Sequence, residues 1–128
     1  MVSLAGKKKV YDELYVDDII DGMNSLNTRI NLVVASDVLV YIGDLLPVFN
    51  CVKKYSTQGS VFAFSTEHTD RQEFVLQNTG RYAHSKDYLL SVIEEAGFHL
   101  KYFTKTRLRK HKDKDNWIIG GIYLAVDQ

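Results

Sequence analysis

Apolar and polar positions along the chain alternate between patterns typical of strands and of helices. Residues 10 to 16 (VYDELYV) have the composition of a short strand, and residues 19 to 26 (IIDGMNSL) predict a brief helical turn. Residues 30 to 36 (INLVVAS) form a continuous apolar run, typical of a parallel-sheet strand covered on both faces. A helix is expected next, because Asp44 is a suitable N-cap and Pro47 suits a first turn. Its predicted buried residues are Val48, Phe49, Val52 and Tyr55.

The same order of strand and helix is repeated further along the chain. Residues 60 to 67 (SVFAFSTE) predict a second covered strand. Ser85 is a suitable N-cap for another helix, and Gly97 supplies the left-handed turn that ends it. The predicted buried stripe of this helix consists of Tyr88, Leu89, Val92, Ile93 and Ala96.

Two further strands complete the pattern as a predicted hairpin. Residues 99 to 108 alternate as a half-exposed strand does, and residues 117 to 126 (WIIGGIYLAV) are a last apolar strand. Within the latter, Gly120 and Gly121 predict a bulge or a close approach of backbones. The basic run Arg107 to Lys112 is interpreted as part of a solvated hairpin tip, because acidic residues alternate with the lysines that follow. The whole series predicts an α/β fold.

The composition indicates which classes of partner and which cellular compartment to expect. Lys+Arg and Asp+Glu both number 16, so no net field attracts nucleic acid or an acidic membrane, and neither is expected as a partner. Because no linker or repeat interrupts the sequence, residues 1 to 128 are expected to form one domain. The single cysteine, Cys51, excludes an internal disulfide, and its apolar neighbours predict a small buried side chain. No apolar run suits a signal peptide or a membrane span, which favours the cytoplasm.

Four segments carry a resemblance to an enzyme family. They are VYDELYVDDI (10 to 19), NLVVASDVLVYIGDLLPVF (31 to 49), GSVFAFSTE (59 to 67) and TGRYAHSKDYLLSVIEEAGF (79 to 98). Together with the order of the predicted elements, they resemble class I S-adenosylmethionine-dependent methyltransferases, in particular the methyltransferase type 12 and TPR-repeat methyltransferase-like proteins. The resemblance implies a Rossmann-like sheet of parallel strands with helices, ending in an antiparallel hairpin.

The resemblance also implies cofactor-binding residues. In this family an acidic residue after the third strand approaches the adenine of S-adenosylmethionine, and Asp18, with Asp17 beside it, matches that position. The residues that match the end of the fourth strand, beside the methionine portion and the methyl donor, are Ser36, Asp37, Val38 and Tyr41. The structural alternatives are that the acidic pair ends a strand, that Asp37 accepts backbone N–H bonds, and that Tyr41 packs in the core.

The family's main cofactor loop has no counterpart in this sequence. That loop is a glycine-rich turn after the first strand, where glycine lets the backbone approach the ligand. The glycines before residue 30 are Gly6 and Gly22, which are isolated, and the family's ribose-binding acidic residue is missing too. The resemblance therefore covers the C-terminal part of a methyltransferase, a single truncated domain. Binding of S-adenosylmethionine by this chain alone is expected to be impaired.

Two polar loops, one after the strand at 60 to 67 and one before the predicted helix at Ser85, are candidates for the methyl-acceptor side. The candidates for positioning an acceptor and removing its proton are Glu67, His68, Tyr82 and His84. Arg81 can bind a substrate carboxylate. The alternative is that Arg81 pairs with Glu67 or a neighbouring acid, and that His84 caps the helix together with Ser85.

Two functional hypotheses follow. The chain is a methyltransferase that receives its missing cofactor half from another polypeptide or binds the cofactor in a reduced way. Alternatively, it is a non-catalytic remnant that self-associates or binds a partner. In the family the fourth strand pairs with the first, which is lacking here, so residues 30 to 36 would form an unprotected sheet edge. An obligate homodimer through residues 30 to 41 is therefore expected, formed either edge to edge across a two-fold axis or by exchange of the N-terminal segment.

Overall fold

The computed structural model describes residues 18 to 26, 28 to 71, 73 to 110 and 116 to 128. Its elements are α1 (Ile19–Asn24), β1 (Ile30–Ala35), a 3-10 turn (Leu39–Tyr41), α2 (Leu46–Tyr55), β2 (Ser56–His68), β3 (Phe74–Leu76), β4 (Tyr82–His84), α3 (Lys86–Glu95), β5 (Phe98–Lys110) and β6 (Trp117–Asp127). The strand predicted at 10 to 16, Asp17 and residues 111 to 115 of the predicted hairpin tip lie outside the described residues. The other predicted helices and strands are confirmed, whereas β3 and β4 form in what was predicted as a polar loop.

The six strands form one sheet. Its order is β3-β4-β2-β6-β5, and β1 pairs with β2 on the edge opposite β6. β1 and β4 run parallel to β2, while β6 runs antiparallel to both of its neighbours, β2 and β5. This topology confirms the α/β fold and the terminal antiparallel hairpin. No helix in the described part of the chain is long and apolar enough to cross a membrane.

Polar side chains start the helices close to where the sequence predicts. Asp18 caps α1 by accepting from the backbone N–H groups of Ile20 and Asp21, and the Ser85 hydroxyl accepts from the N–H of Tyr88 in α3. Asp44 lies one residue before the N-cap position of α2, and its carboxylate accepts from Leu46 N at 3.2 Å. These contacts satisfy backbone donors that a helix start leaves free.

An aromatic core joins the helices to the sheet. The rings of Phe62 and Phe64 in β2 lie 4.9 and 5.1 Å from Phe49 of α2, measured between centroids, and Tyr123 of β6 stacks on Phe64 at 5.0 Å. The residues of α3 and its C-terminus that were predicted to be buried are confirmed as such: Tyr88, Leu89, Val92, Ile93 and Ala96. α1 covers the same core with Ile19, Ile20 and Met23. All three described helices thus pack on one face of the sheet.

The opposite face of the sheet is apolar and only partly covered. On β1, Val33 and Ala35 point to the helices beside Phe62 and Phe64, so Leu32 and Val34 point away from them. Leu32 is 57% exposed and Val34 is 66% exposed. The prediction that this strand is covered on both faces is therefore wrong for the described residues, because no described helix packs on its second face. Further along that face, Tyr102 and Ile122 are exposed as well.

Gly120 is required by a close approach between strands. A Cβ atom there would lie 2.1 Å from Leu108 Cδ1 and 2.6 Å from the backbone oxygen of Thr66. The predicted close approach is thus confirmed. The register shifts of the hairpin fall in β5 instead, between Leu100 and Tyr102 and between Arg107 and Arg109.

We expect Gly120→Ala to lower the free energy of unfolding by about 1 to 3 kcal/mol, because the added methyl overlaps a backbone oxygen that cannot easily move. Ile122→Val is the matched control on the same strand and face, and its partly exposed side chain should cost less than about 1 kcal/mol. Urea denaturation of both variants measures the difference. Equal losses of unfolding free energy in Gly120→Ala and Ile122→Val would contradict the close packing at Gly120.

Candidate functional site

The carboxyl ends of β1 and β2 meet at one edge of the sheet, where open α/β folds bind their ligands. Five side chains from four parts of the chain converge there, and we call them the polar cluster. Its members are Asp37, Glu67, Gln77, Arg81 and Arg109. Three of the five, Asp37, Glu67 and Arg81, were predicted as site residues.

Arg109 connects the polar cluster. From β5 its side chain spans β6 and donates from Nη2 to Glu67 Oε2 at 2.8 Å, while Nη1 lies 2.9 Å from Asp37 Oδ1. Partial burial by itself lowers the pKa of Arg109, but the hydrogen bonds and charges of the two carboxylates outweigh it and raise the pKa above its usual value. The interpretation of this arginine as part of a solvated tip is wrong. Because Arg109 contacts its partners across a neighbouring strand, the residues around it in the sequence do not indicate these contacts.

Glu67 is a buried carboxylate whose oxygens are already bound. The residue is 2% exposed, and Oε1 accepts from Gln77 Nε2 at 2.8 Å while Oε2 accepts from Arg109. Arg81 Nη1 lies 3.7 Å from Oε2, which confirms the alternative that Arg81 pairs with Glu67. These contacts favour a structural role for Glu67.

The turn after β1 holds Asp37 in an unusual backbone conformation. Its φ is +56°, in the left-handed region that few non-glycine residues adopt. Its N–H donates to Ser65 Oγ at 3.3 Å, and its carboxylate pairs with Arg109 rather than with backbone N–H groups. Ser36 beside it is exposed, and Val38 leads into the 3-10 turn. The Asp37 side chain therefore reaches solvent at the carboxyl end of β1.

Tyr41 and Arg81 form the accessible rim of this site. Tyr41 is 62% exposed, so the alternative of core packing is wrong. The Arg81 guanidinium carbon lies 6.0 Å from the centre of the Tyr41 ring, within the range of a cation–π contact. The pair presents an aromatic face and N–H donors to a ligand.

His84 is fully buried away from that rim. Its Nε2 lies 2.9 Å from the carbonyl oxygen of Ile42 and 3.1 Å from that of Gly43, and we assign it as the donor to both. Burial lowers the pKa of His84 below its usual 6.5, because an uncompensated charge there is unfavourable. The predicted helix cap is made by Ser85, while His84 instead fastens β4 to the segment before α2.

His68 and Tyr82 occupy different surroundings. His68 Nε2 lies 2.7 Å from the carboxylate of Asp70, which is exposed. The half-buried ring of Tyr82 packs edge-on against Phe74 at 6.0 Å. Neither side chain has a recorded hydrogen bond to the polar cluster.

Cys51 lies buried in α2, as predicted. Its Sγ is 4.0 Å from the carbonyl oxygen of Ile20, at the contact between α1 and α2. Burial raises the pKa of the thiol, so the protonated form is favoured. Among the described residues, no group of three or more His, Cys, Asp or Glu could hold a metal ion.

A groove with a volume of about 360 Å³ lies between α1 and β1. Its apolar walls come from α1, β1, α2 and β2, and Val38 also lines it. Asp18 is the single polar side chain that lines it, and it also caps α1.

Comparison with known proteins identifies the fold. No protein-family model matches the sequence, and neither does any curated protein. The structure resembles a SAM-dependent methyltransferase from Methanosarcina mazei (TM-score 0.71, 14% identity, 98% of this chain and 76% of that one). It also resembles magnesium protoporphyrin IX methyltransferase from Synechocystis PCC 6803 (TM-score 0.71, 15% identity, 100% of this chain and 60% of that one). A third similar structure is TehB from Haemophilus influenzae (TM-score 0.71, 13% identity, 98% of this chain and 44% of that one). The chain has the fold of S-adenosylmethionine-dependent methyltransferases and spans only part of each of these structures.

The described residues do not fit the whole cofactor of such enzymes. The apolar groove and Asp18 suit a flat adenine ring. The groove offers no second carboxylate for the ribose hydroxyls and no cation for the carboxylate of the methionine portion. Near the end of β1, Arg109 is paired with both Glu67 and Asp37, whereas Arg81 makes one long contact of 3.7 Å with Glu67 and does not line the groove.

We expect Arg109→Met to lower the free energy of unfolding by about 3 kcal/mol, because Glu67 then stays buried with much of its charge uncompensated. Arg107→Met is the matched control, since that exposed side chain, on the same strand, lies over the Trp117 ring and should cost less than about 1 kcal/mol. Chemical denaturation measures both. Adding Glu67→Gln to Arg109→Met should restore part of the lost stability. Similar losses in Arg109→Met and Arg107→Met would contradict the stabilising ion pair between Arg109 and Glu67.

His84 should make stability depend on pH. Since its pKa is lowered in the folded chain, the unfolded chain takes up the proton first, and stability present above pH 6.5 is lost as the pH falls below it. We expect the unfolding free energy of the native chain to fall more steeply with acidification than that of His84→Gln, by at most about 1.4 kcal/mol per pH unit. Denaturation of both proteins between about pH 7 and pH 5 tests this. Parallel pH profiles would contradict the buried, neutral imidazole.

Proposed function

We propose that this chain forms the acceptor side of an S-adenosylmethionine-dependent methyltransferase domain and that another polypeptide supplies its cofactor-binding half. The observation that carries the proposal is the polar cluster at the carboxyl ends of β1 and β2, in a chain whose fold is similar to that of methyltransferases. Side chains at this edge leave the sheet and reach bound ligands in open α/β proteins.

The accessible rim supports binding of an acceptor. Arg81 keeps guanidinium donors free to bind a carboxylate or another anionic group, since its contact with Glu67 is a long one of 3.7 Å. The exposed ring of Tyr41 offers a stacking surface next to it. In this proposal Arg81 binds substrate, Tyr41 packs against it, and Arg109 positions Asp37 at the carboxyl end of β1.

The remaining predicted residues are assigned more limited roles. Asp18, Ser36 and Val38 border the space in which the adenine and methionine portions would lie, and they contribute only once the cofactor half is present. His68, whose ring faces Asp70, is retained as the candidate for removing an acceptor proton. Tyr82 and His84 support the rim through packing and hydrogen bonds in β4.

A second candidate function is a non-catalytic module that binds a partner. The specific observation in its favour is the exposed apolar side of the sheet, carried by Leu32 and Val34. Contiguous exposed apolar surface commonly marks an interaction site. Cofactor binding separates the two candidates, because the module has no need of a cofactor in any complex.

We expect the isolated chain to bind S-adenosylmethionine no more tightly than a Kd of about 1 mM. Each charged hydrogen bond that is lacking removes roughly 1 to 3 kcal/mol, and two or three of them turn a micromolar site into a millimolar one. Isothermal titration calorimetry of the purified chain measures this. Asp18→Asn, which keeps a capping side chain but removes its charge, should give the same heats as the native chain.

Low-micromolar, saturable binding that Asp18→Asn weakens would contradict the claim that this chain lacks a sufficient cofactor site. Absence of binding even after a cofactor-binding polypeptide has been found to associate with the chain would favour the non-catalytic module.

A further inference from the structure

We propose that the isolated chain forms a two-fold dimer in which the β1 strands of two copies pair antiparallel, with the two-fold axis at Val33. The inference goes beyond the proposed function, since it concerns the state of the chain on its own. Four features of β1 and α1 lead to it.

The first feature is the free edge of β1. Among the described strands, β2 alone pairs with it, so within the described part of the chain its other edge presents backbone N–H and C=O groups without a strand partner. Protein sheets commonly protect such an edge with a charge, a proline or a covering segment. Between Ile30 and Ala35 there is neither a charged residue nor a proline. The edge is therefore open to another strand.

The second feature is the pair of exposed apolar side chains on this strand. Leu32 and Val34 are two residues apart and so lie on one face. A two-fold axis at Val33 places Leu32 of each copy directly opposite Val34 of the other, in the geometry of cross-strand pairs. Both exposed side chains then gain an apolar neighbour on the same face, which a shift of one residue would not give.

The third feature is charge complementarity at the ends of the strand. In the same register the start of each strand, with Arg29, lies near the turn that carries Asp37 after β1 of the second copy, and this arrangement occurs twice. Both side chains are exposed in the single chain, where Arg29 donates to the carbonyl oxygen of Lys54 and Asp37 pairs with Arg109. Opposite charges at the two ends stabilise this register and disfavour a parallel pairing, in which like residues would be adjacent.

The fourth feature is the apolar groove beside β1. A two-fold axis perpendicular to the sheet keeps the helices of both copies on the same side, so the two α1 helices and their grooves face each other across the axis. The groove walls contributed by Met23, Leu26 and Val33 then lose contact with water. A second copy thus fits the edge, the exposed face and the groove in one arrangement.

Sedimentation velocity or light scattering at about 10 µM tests the proposal, and we expect about 29 kDa, twice the 14.7 kDa of one chain. Val34→Lys should give a folded monomer, because lysine is tolerated at a free edge but not in the centre of this interface. Ile122→Lys, an exposed apolar residue on the same face but away from the edge, is the matched control and should remain dimeric. A monomeric native chain, as expected if residues 1 to 17 or solvent cover the edge, would overturn the proposal, as would a dimer that survives Val34→Lys.

Cross-linking tests the register independently. On a Cys51→Ser background, Val33→Cys should form a covalent dimer on mild oxidation, because residues at the axis have Cβ atoms about 5 Å apart. Ile122→Cys on the same background should not form it. A non-covalent dimer in which Val33→Cys fails to cross-link would overturn the assigned register. Because the mass and the cross-link need no cofactor, their failure is distinguishable from failure of the proposed function.

Discussion

In the described part of the chain, the structure depends on a sheet that the helices pack on one face only. Phe49 of α2 and the aromatic residues Phe62, Phe64 and Tyr123 form the tightly packed side, and the burial of these rings stabilises the described chain. The other face carries Leu32 and Val34 in contact with water. At about 25 cal/mol per Å² of apolar surface, leaving this face uncovered gives up stability that a covering layer would add.

The charged end of the sheet is organised by the same geometry. Arg109 crosses β6 to reach Glu67 and Asp37, while the missing side chain at Gly120, the cross-strand partner of Glu67, leaves room for Leu108. The terminal hairpin is thereby tied to the carboxyl ends of β1 and β2. The hairpin and the site are thus connected by ion pairs and a close backbone contact.

Local features of the sequence predicted most of the elements. The Ser85 cap, the stripe of α3 and the left-handed Gly97 (φ +94°) depend on neighbours within a few residues and were predictable from them. The covering of β1 was not, because a continuous apolar run looks the same whether one face or both faces are packed. Arg109 was missed for a related reason: its partners are 42 and 72 positions away in the sequence, and nothing in the surrounding charge run distinguishes it from solvated residues.

For a chain with the fold of S-adenosylmethionine-dependent methyltransferases, a polar cluster at the carboxyl ends of β1 and β2 and exposed apolar residues on β1, we propose a place in a larger assembly. Hydrogen exchange of the backbone amides in residues 30 to 36, measured by mass spectrometry over a range of protein concentrations, is the most direct test of whether a second copy covers this strand. We expect the protection of these amides to rise with concentration. Exchange in this segment that does not change with concentration would contradict this expectation.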